Sequence, residues 1–490
     1  MISRRGVLGA AGAFAALAGC RSAGELFASR TPRLKFGVGS DIHCQYRAFC
    51  DDFELSLGRF RDAGVDAVVL AGDLADMGNI RELKFVADCW RRVFPGDRAP
   101  DGRRVERVFV TGNHDVNHLG PLKNATWLSY YNKDAARITA DAMTLRPGGI
   151  AQAWEECFGE KYEQIYRKTV KGYDFIGGHW GDWSGVGDIE GFMRKVGPTL
   201  DPSKPFFYVQ HPHPQNTCYG KEAWGRDAGA TTRALSAFPN AIAFSGHSHY
   251  TLTDERSIWQ GAFTSLGTAS LRYTSIYQVT PLDKNGYVNR MAPKPFHAQI
   301  DPHKLMPAIN TYYNRQGMLV SVYSDYVVFA RREFMTDQFL GPDWVMPLPN
   351  AEPRPFSIAS RAAKSPAPAF PSGAQLSIKR LAAKPRGGKG VPKKPVPAVE
   401  VSFPAATAVA GTRPFEYEIR AEPKTGDAKV WRILSPGYHY SPEHARAKGP
   451  ASCTLPVAEL PQNVEFRFVV TPVSCFAKRG IPLSGTYLTV

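Results

Sequence analysis

The sequence lacks several motifs that define common functional classes. No two of its eight cysteines are separated by only two residues, so a structural zinc site built from paired thiolates is not expected. No G-x-x-x-x-G-K-[ST] motif occurs, and no G-x-G-x-x-G follows a predicted strand, so there is no sign of a nucleotide-cradling loop. No internal repeat is found.

Acidic residues are scarce relative to basic ones. The 490 residues include 60 Lys and Arg against 45 Asp and Glu, which gives a formal net charge of +15. Nine basic residues and no acidic one lie within residues 361–394, so the rest of the chain is only mildly basic. Aromatic residues do not alternate with these charges, which favours a solvated segment over a nucleic-acid arm. A nuclease that uses this segment as an arm is the alternative.

The first twenty residues have the pattern of an export signal. Arg4 and Arg5 precede an uncharged stretch of fourteen residues, 6–19, and the sequence LAGC ends at Cys20. A spanning helix needs about 20 residues, so this stretch fits a secretory signal instead. The arginine pair resembles a twin-arginine signal, and LAGC resembles a bacterial lipobox. We expect a lipoprotein anchored to the membrane through Cys20 and exported to the periplasm or cell surface; a plain signal peptide is the alternative.

Seven cysteines would remain after processing at Cys20, so not all of them can pair within one chain. Cys453 and Cys475 lie in the same C-terminal segment and are candidates for a disulfide. Cys44 is expected to be a packing residue.

The chain divides into two predicted folded regions. Across residues 33–335, β-type runs alternate with longer, partly helical segments, which predicts an α/β domain with parallel pairing. Residues 336–395 are rich in Pro and Ala and then in Gly and Lys, which predicts a linker. Residues 396–490 contain short β-type runs between turn residues, which predicts an all-β sandwich that resembles a fibronectin type III-like module.

Five β-type runs of the first region end directly in polar side chains. These ends carry Asp41 and His43, Asp73 and Asp76, Asn113, His114 and Asp115, His211 and His213, and His247 and His249. Ligands of open α/β sheets bind beyond the carboxyl ends of the strands, so five such ends predict one site. Alternate residues would face the same way if the extended geometry persisted.

The donor set indicates two transition-metal ions. Carboxylates, an amide and imidazoles suit Mn, Fe, Zn or Co, and their number exceeds one tetrahedral centre. Asp41 and Asp73 cancel half of the charge of two divalent ions, and Asn113 adds a ligand without adding charge. The excess positive charge would polarise a phosphoryl oxygen and produce a metal-bound hydroxide nucleophile. Asp115 is expected to hold a ring nitrogen of His114, which would act as general acid or phosphate clamp.

The ordered set D-x-H, G-D-x-x-D, G-N-H-D, a strand-final H and G-H-x-H resembles the calcineurin-like metallophosphoesterase superfamily over about residues 34–290. The resemblance implies a four-layer αββα sandwich in which His114 is catalytic and Asp76 and Asp115 orient other groups. It implies that Asp73 bridges two metals, the first held by Asp41, His43 and His249 and the second by Asn113, His211 and His247. The family commonly shows H-x-P or H-H-P where this chain reads QHPHP, so His213 is the alternative to His211.

The predicted function is a dinuclear, metal-dependent phosphoric ester hydrolase that acts on a small phosphomonoester or phosphodiester, without a nucleic-acid partner. A non-catalytic, metal-containing envelope lipoprotein is the alternative class. The aromatic-rich insertion 117–170 either covers the centre or packs on the domain. The segment 177–183, GGHWGDW, either brings His179 or Asp182 to the site or has only a local structural role.

Overall fold

The computed structural model describes residues 30–116, 120–182, 185–218, 225–274, 314–383, 394–407, 414–435 and 450–490. The predicted export signal lies outside these residues. Within them, no helix combines the length and apolar character needed to cross a membrane.

The first sheet has seven strands, and its centre is parallel. Its β2 strand (Ala67–Ala71) is buried at every position, as expected for an apolar run with a strand on each side and both faces covered. Strands β1, β2 and β3 pair in parallel, and β10 extends the sheet antiparallel to β1. The strand order is β12-β11-β10-β1-β2-β3, with β13 also on β11. The other bounds are β1 Leu34–Gly39, β3 Glu106–Val110, β10 Gln316–Val322, β11 Tyr326–Glu333, β12 Gln338–Phe339 and β13 Trp344–Pro347.

The second sheet has six strands in the order β4-β5-β6-β7-β9-β8, and β5, β6, β7 and β9 pair in parallel. Their bounds are β4 Ile165–Val170, β5 Tyr173–Gly178, β6 Phe206–Val209, β7 Ala241–Ser245, β8 Ile258–Gln260 and β9 Thr264–Gly267.

The two sheets pack face to face, and helices cover their outer faces. Phe36 of β1 lies against Phe175, Phe207 and Phe244 of the second sheet, with ring centroids 4.7–5.9 Å apart. Helices α1 (Arg47–Asp62), α2 (Ile80–Val93) and α6 (Gly149–Phe158) share a core with the first sheet. Helices α7 (Ile189–Val196) and α8 (Ala230–Leu235) share a core with the second. The predicted four-layer α/β sandwich is confirmed.

Three short helices lie between β3 and α6, namely α3 (Asn113–Val116), α4 (Ala125–Tyr130) and α5 (Ala135–Asp141). Helix α4 belongs to the insertion, and its Trp127 is buried. Trp127 packs with Tyr131 in a small cluster of its own. Trp154 of α6 is also buried, in the core beside the first sheet. Trp154 thus packs the insertion onto the domain, whereas Tyr130 is exposed.

The C-terminal region is a β-sandwich. A three-stranded sheet in the order β14-β15-β18 shares a core with a four-stranded sheet in the order β17-β16-β19-β20. The bounds are β14 Ser377–Ala383, β15 Val396–Phe403, β16 Pro414–Pro423, β17 Lys429–Leu434, β18 Ala451–Pro456, β19 Phe466–Ser474 and β20 Leu483–Leu488. All-β structure in this region is confirmed, whereas the fibronectin type III-like resemblance stays a prediction.

Several parts of the predicted linker, 336–395, form regular structure within the described residues, so this prediction needs correction. Strand β13 pairs with β11 and buries Trp344 and Met346, which makes it part of the first sheet. Helix α9 (Ile358–Lys364) is held by Arg361, whose guanidinium bonds the carbonyl of Ile258 and pairs with Glu255. Strand β14 is an edge strand of the sandwich. Composition did not predict these elements, because contacts with residues distant in the sequence, rather than local propensity, stabilise them.

Candidate metal centre

The five predicted strand ends meet at one place in the structure. Strands β1, β2 and β3 of the first sheet and β6 and β7 of the second all end there, each followed directly by its polar residues. Asp41, His43, Asp73 and His249 form one group whose ligand atoms all lie within 4.8 Å of one another. Asp73 also forms a second such group with His211 and His247.

In the first group, two imidazole nitrogens and two carboxylates converge. The Nε2 of His249 is 3.0 Å from Oδ1 of Asp41 and 3.1 Å from Nε2 of His43. The Nε2 of His43 lies 3.9 Å from Oδ1 of Asp41 and 3.7 Å from Oδ2 of Asp73. All four side chains are buried.

In the second group, Asn113 joins Asp73, His211 and His247. The Nε2 of His211 lies 3.1 Å from Oδ2 of Asp73 and 3.1 Å from Oδ1 of Asn113. The rings of His211 and His247 are 4.8 Å apart between centroids. Oδ2 of Asp73 therefore approaches a histidine of each group, the geometry of a carboxylate shared between two sites.

The donor orientation in the first group fits a bound cation. The Nδ1 of His43 faces Oδ1 of Asp76 at 2.9 Å, and the Nδ1 of His249 faces the carbonyl of Tyr273 at 2.9 Å. Those oxygens only accept, so each neutral ring carries its proton on Nδ1 and presents a lone pair at Nε2. Two lone pairs 3.1 Å apart beside a carboxylate repel one another unless a cation lies among them.

His211 in the second group is oriented in the same way as the histidines of the first group. The Nδ1 of His211 faces the carbonyl of Ala71 at 2.8 Å, which leaves Nε2 directed at the oxygens of Asp73 and Asn113. Burial alone would lower the pKa of His211, but the carboxylates of Asp73 and Asp41 raise it to about 9. This shift favours a proton on His211, whereas metal binding requires the neutral ring. Metal binding must displace this proton, so affinity should fall as the pH falls.

The loops that carry the ligands are strained. Left-handed backbone, with φ between 47° and 65°, occurs at Asp41, His43, Asp73, His247 and His249. Such residues cost about 1–3 kcal/mol each and persist only where the surroundings fix them, as at functional sites. The D-x-H and H-x-H pairs thus face the centre through tight loops, and the extended geometry expected from the sequence does not persist.

Two motif glycines are required by close packing on the carboxylates. A Cβ on Gly112 would lie 2.2 Å from Oδ1 of Asp73, and one on Gly246 would lie 2.4 Å from Oδ2 of Asp41. Both distances are far below van der Waals contact. Any side chain at these positions would therefore displace a carboxylate of the centre.

His114 lies at the edge of the centre. Its Nδ1 is 2.6 Å from the backbone oxygen of Asp76, and its backbone N–H donates to Oδ1 of Asp73 at 2.9 Å. Its side chain is 40% exposed, unlike the buried ligands, so a substrate can reach it. Burial lowers the pKa of His114, but the Asp73 carboxylate and the Asp76 carbonyl raise it overall. This shift favours the protonated ring expected of an acid or an anion clamp.

The predicted contact of Asp115 with His114 is wrong. The carboxylate of Asp115 accepts from the backbone N–H groups of Ala75 at 2.7 Å, Gly112 at 2.7 Å and Leu74 at 3.2 Å. In the short helix α3 these two neighbouring side chains diverge, so Asp115 ties the β2 and β3 loops together instead. The backbone of Asp76, which follows β2, takes the predicted place beside His114.

His211, rather than His213, lies among the predicted ligands. His213 is fully buried, and its Nε2 lies 3.0 Å from Oγ of Ser248. It belongs to neither ligand group within the described residues. Burial lowers its pKa to about 3, so it is a neutral packing residue behind the His247 loop.

The segment GGHWGDW contributes a residue that the sequence did not single out. The Trp180 ring lies 5.9 Å from that of His211 and 5.8 Å from that of His247, so it walls the second group. His179 is buried away from the ligands and accepts the backbone N–H of Thr111 at 3.0 Å. Asp182 is exposed. The sequence signal that could have identified Trp180 is the apolar run before it, because this run marks the end of another strand.

The cysteine predictions also need correction. Cys44 forms a disulfide with Cys50 rather than acting only as a packing residue. Cys453 and Cys475 are separate buried thiols and do not pair. Cys453 lies on β18 and Cys475 follows β19, which belong to different sheets of the sandwich.

Comparison with protein families gives one match to this region. Residues 34–251 match the family model of calcineurin-like phosphoesterases. All seven predicted metal ligands and His114 lie inside the matched range. A search of the curated proteins gives no match.

Solved structures of low sequence identity resemble the chain. A dimetal phosphatase from Danio rerio is 13% identical, with a TM-score of 0.35, over 64% of this chain and 98% of that one. Purple acid phosphatase PPD1 from yellow lupin is 13% identical, with a TM-score of 0.37, over 64% of this chain and 53% of that one. GAP50, the anchor in the inner membrane complex of Plasmodium, is 11% identical, with a TM-score of 0.34, over 64% of this chain and 88% of that one.

Proposed function

We propose that this chain, whose residues 34–251 form a calcineurin-like phosphoesterase domain, hydrolyses small phosphomonoesters or phosphodiesters at a centre of two divalent ions. The observation that carries the proposal is the position of Asp73, which belongs to both buried ligand groups. Oxygen and imidazole donors without thiolate suit Mn, Fe, Zn or Co.

Each of the two proposed ions would have its own set of ligands, and one carboxylate would be shared. Asp41, His43 and His249 would hold the first ion, Asn113, His211 and His247 the second, and Asp73 both. When bound, two such ions polarise a phosphoryl oxygen and lower the pKa of a water. Their four positive charges would meet two carboxylates, Asp41 and Asp73, so the centre keeps an attraction for phosphate.

His114 would act directly on the substrate. Its Nδ1 is held by the Asp76 carbonyl, which leaves Nε2 for the substrate. From the exposed edge of the centre, the ring would donate a proton to the leaving oxygen or clamp a phosphate oxygen. A purely structural metal site needs no such group, which supports the hydrolase over a non-catalytic lipoprotein.

We also propose export by the twin-arginine route and attachment to the membrane through a lipid on Cys20. The arginine pair and the LAGC sequence support this proposal. The Cys44–Cys50 disulfide supports it independently, because disulfides persist mainly in oxidising compartments such as the periplasm.

A small phosphoester, rather than a nucleic acid, is the proposed partner at the centre. Lys379 and Arg380, two charges of the basic segment, lie on the edge strand β14 of the sandwich. Charged side chains on edge strands commonly prevent strand pairing between molecules, so they need no nucleic acid to explain them.

The test is a screen of the purified chain, loaded in turn with Mn, Fe, Zn and Co, against phosphomonoesters, phosphodiesters and phospholipids. We expect metal-dependent turnover of at least one class. Asp73→Asn is the matched control, because it keeps the size of the side chain and removes its charge. A folded chain that holds two ions and turns over no phosphoester would refute the hydrolase.

A further inference from the structure

We propose that the Cys44–Cys50 disulfide positions the first ligand group, so that its reduction weakens the first metal ion selectively. The inference rests on the proposed dinuclear centre. Cys44 directly follows the ligand His43, and Cys50 lies in the first turns of α1. Both cysteines are completely buried, and their Cα atoms are 5.9 Å apart.

The loop that the disulfide connects to α1 has a strained backbone. Asp41 and His43 have left-handed backbone, with φ of 51° and 47°. On the side of the β2 loop, the N–H of His43 donates to the carbonyl of Asp73 at 3.1 Å and that of Cys44 to the carbonyl of Leu74 at 3.0 Å. On the opposite side, the disulfide ties the same loop to α1. Breaking it would let the strained loop relax away from the position that His43 requires.

The same turn of α1 also reaches the other histidine of the group. Phe49, which precedes Cys50, lies 3.4 Å from the guanidinium carbon of Arg272, measured to the ring centroid. The next residue, Tyr273, accepts from Nδ1 of His249 through its carbonyl at 2.9 Å. A shift of this turn would therefore disturb His43 directly and His249 through Arg272 and Tyr273.

Two residues of the second ligand group, His211 and Asn113, are supported by other elements. His211 is fixed by the carbonyl of Ala71 on β2, and Asn113 lies in α3 after β3. His247 contacts the first group through its backbone N–H, which donates to the carboxylate of Asp41 at 3.1 Å. The effect of reduction should therefore fall mainly on the first ion, whereas a general loss of stability would affect both equally.

Reduction by a dithiol breaks the S–S bond and forms two thiols on the chain. Two electrons and two protons come from the dithiol, which closes to its own cyclic disulfide. Cys89, whose Sγ lies 3.5 Å from the backbone oxygen of Cys50, is a candidate for internal exchange. Burial raises the pKa of Cys89 to about 12, which disfavours the thiolate that exchange with the bridge requires.

The experiment is a Co²⁺ titration of the metal-free full chain, followed by visible absorption, in the oxidised state and after dithiothreitol reduction and anaerobic removal of the reagent. We expect two ions in the oxidised state. On reduction, one dissociation constant should rise by about 10–100-fold, as for the loss of an outer support of a ligand, and the other should change less than about threefold. His249→Ala, which removes a first-group ligand, identifies the affected constant.

Cys44→Ala with Cys50→Ala should reproduce the reduced state without any reductant. Cys157→Ala is the matched control, because it removes a buried thiol on α6 outside both ligand groups, and it should respond to reduction as the unaltered chain does. Thermal melting of every sample separates site effects from unfolding.

The outcomes distinguish the inference from the function on which it rests. An oxidised chain that binds two ions, with both constants unchanged on reduction, would overturn the inference alone. Equal weakening of both ions, or unfolding of both the reduced chain and the double variant, would also overturn it and assign the disulfide to global stability. An oxidised chain that binds fewer than two ions would refute the dinuclear centre, and the inference with it.

Discussion

Replacing His114 by alanine should lower kcat by about 10²–10⁴ and leave both metal ions in place. That range is the usual contribution of a positioned acid or base, and it corresponds to about 3–5 kcal/mol of transition-state stabilisation. The structure explains the retained metal. The bond from the His114 backbone N–H to Asp73 survives the substitution, and the lost ring is partly exposed.

Asn113→Ala is the matched comparison, because it changes the preceding residue of the same short helix. It removes the oxygen that lies 3.1 Å from Nε2 of His211, so it should weaken the second ion by at least the 10–100-fold roughly expected for losing an outer partner. Part of the lost activity should return in excess metal. No such recovery is expected for His114→Ala.

The assay is steady-state hydrolysis of nitrophenyl and alkyl phosphoesters, with metal content measured on the same samples. If His114 mainly protonates the leaving oxygen, the defect should be smaller for the nitrophenyl ester, whose leaving group needs little protonation. If it mainly clamps phosphate, both esters should suffer alike. Full activity of metal-loaded His114→Ala on alkyl esters would remove His114 from the mechanism.

Three further predictions concern the bridge, the alternative histidine and export. Asp73→Asn should lower the occupancy of both ions, because this carboxylate belongs to both groups; elemental analysis that shows loss of only one ion would contradict bridging. His213→Ala should keep both ions but lower the unfolding free energy by about 1–3 kcal/mol in denaturant titrations, because it removes a buried ring and its hydrogen bond to Ser248; loss of an ion would instead identify His213 as a ligand. Arg4→Lys with Arg5→Lys should block translocation, and Cys20→Ser should release the chain from membranes, as cell fractionation would show. Cys20→Ser protein that stays in the salt-washed membrane fraction would exclude the lipid anchor.

The positions of the candidate ligands could be predicted because strand ends are a strong local signal. Apolar runs such as Ala67–Ala71 identify buried parallel strands, and the residues that come directly after parallel strands lie at one edge of the sheet. That inference needs only the order of residues along the chain. The order of strand ends predicted that His211 and His247 lie beside Asp73, although both are distant from Asp73 in the sequence.

The contacts around the ligands could not be predicted in the same way. Whether Asp115 or Asp76 meets His114 depends on side-chain directions within a four-residue helix and on left-handed loop residues. Sequence spacing carries no record of either. The Cys44–Cys50 disulfide was not predicted for a related reason, since only the tight loop brings the two Cα atoms to a distance of 5.9 Å.

The contacts between the β-sandwich and the first region also could not be predicted from the sequence. By sequence it is an appended module, because every motif precedes Tyr250. In the structure, Phe415 of β16 lies 5.0 Å from the guanidinium of Arg256, measured to the ring centroid. Arg256 pairs with Asp254 at 2.7 Å where both are fully buried, and Asp254 accepts from the hydroxyl of Tyr250, the residue after the candidate ligand His249. Loss of either partner of a buried ion pair is strongly destabilising, because the other charge is then left buried without compensation. Three contacts therefore connect the sandwich to the residue that follows a candidate metal ligand, although the sandwich stands more than a hundred residues away along the chain.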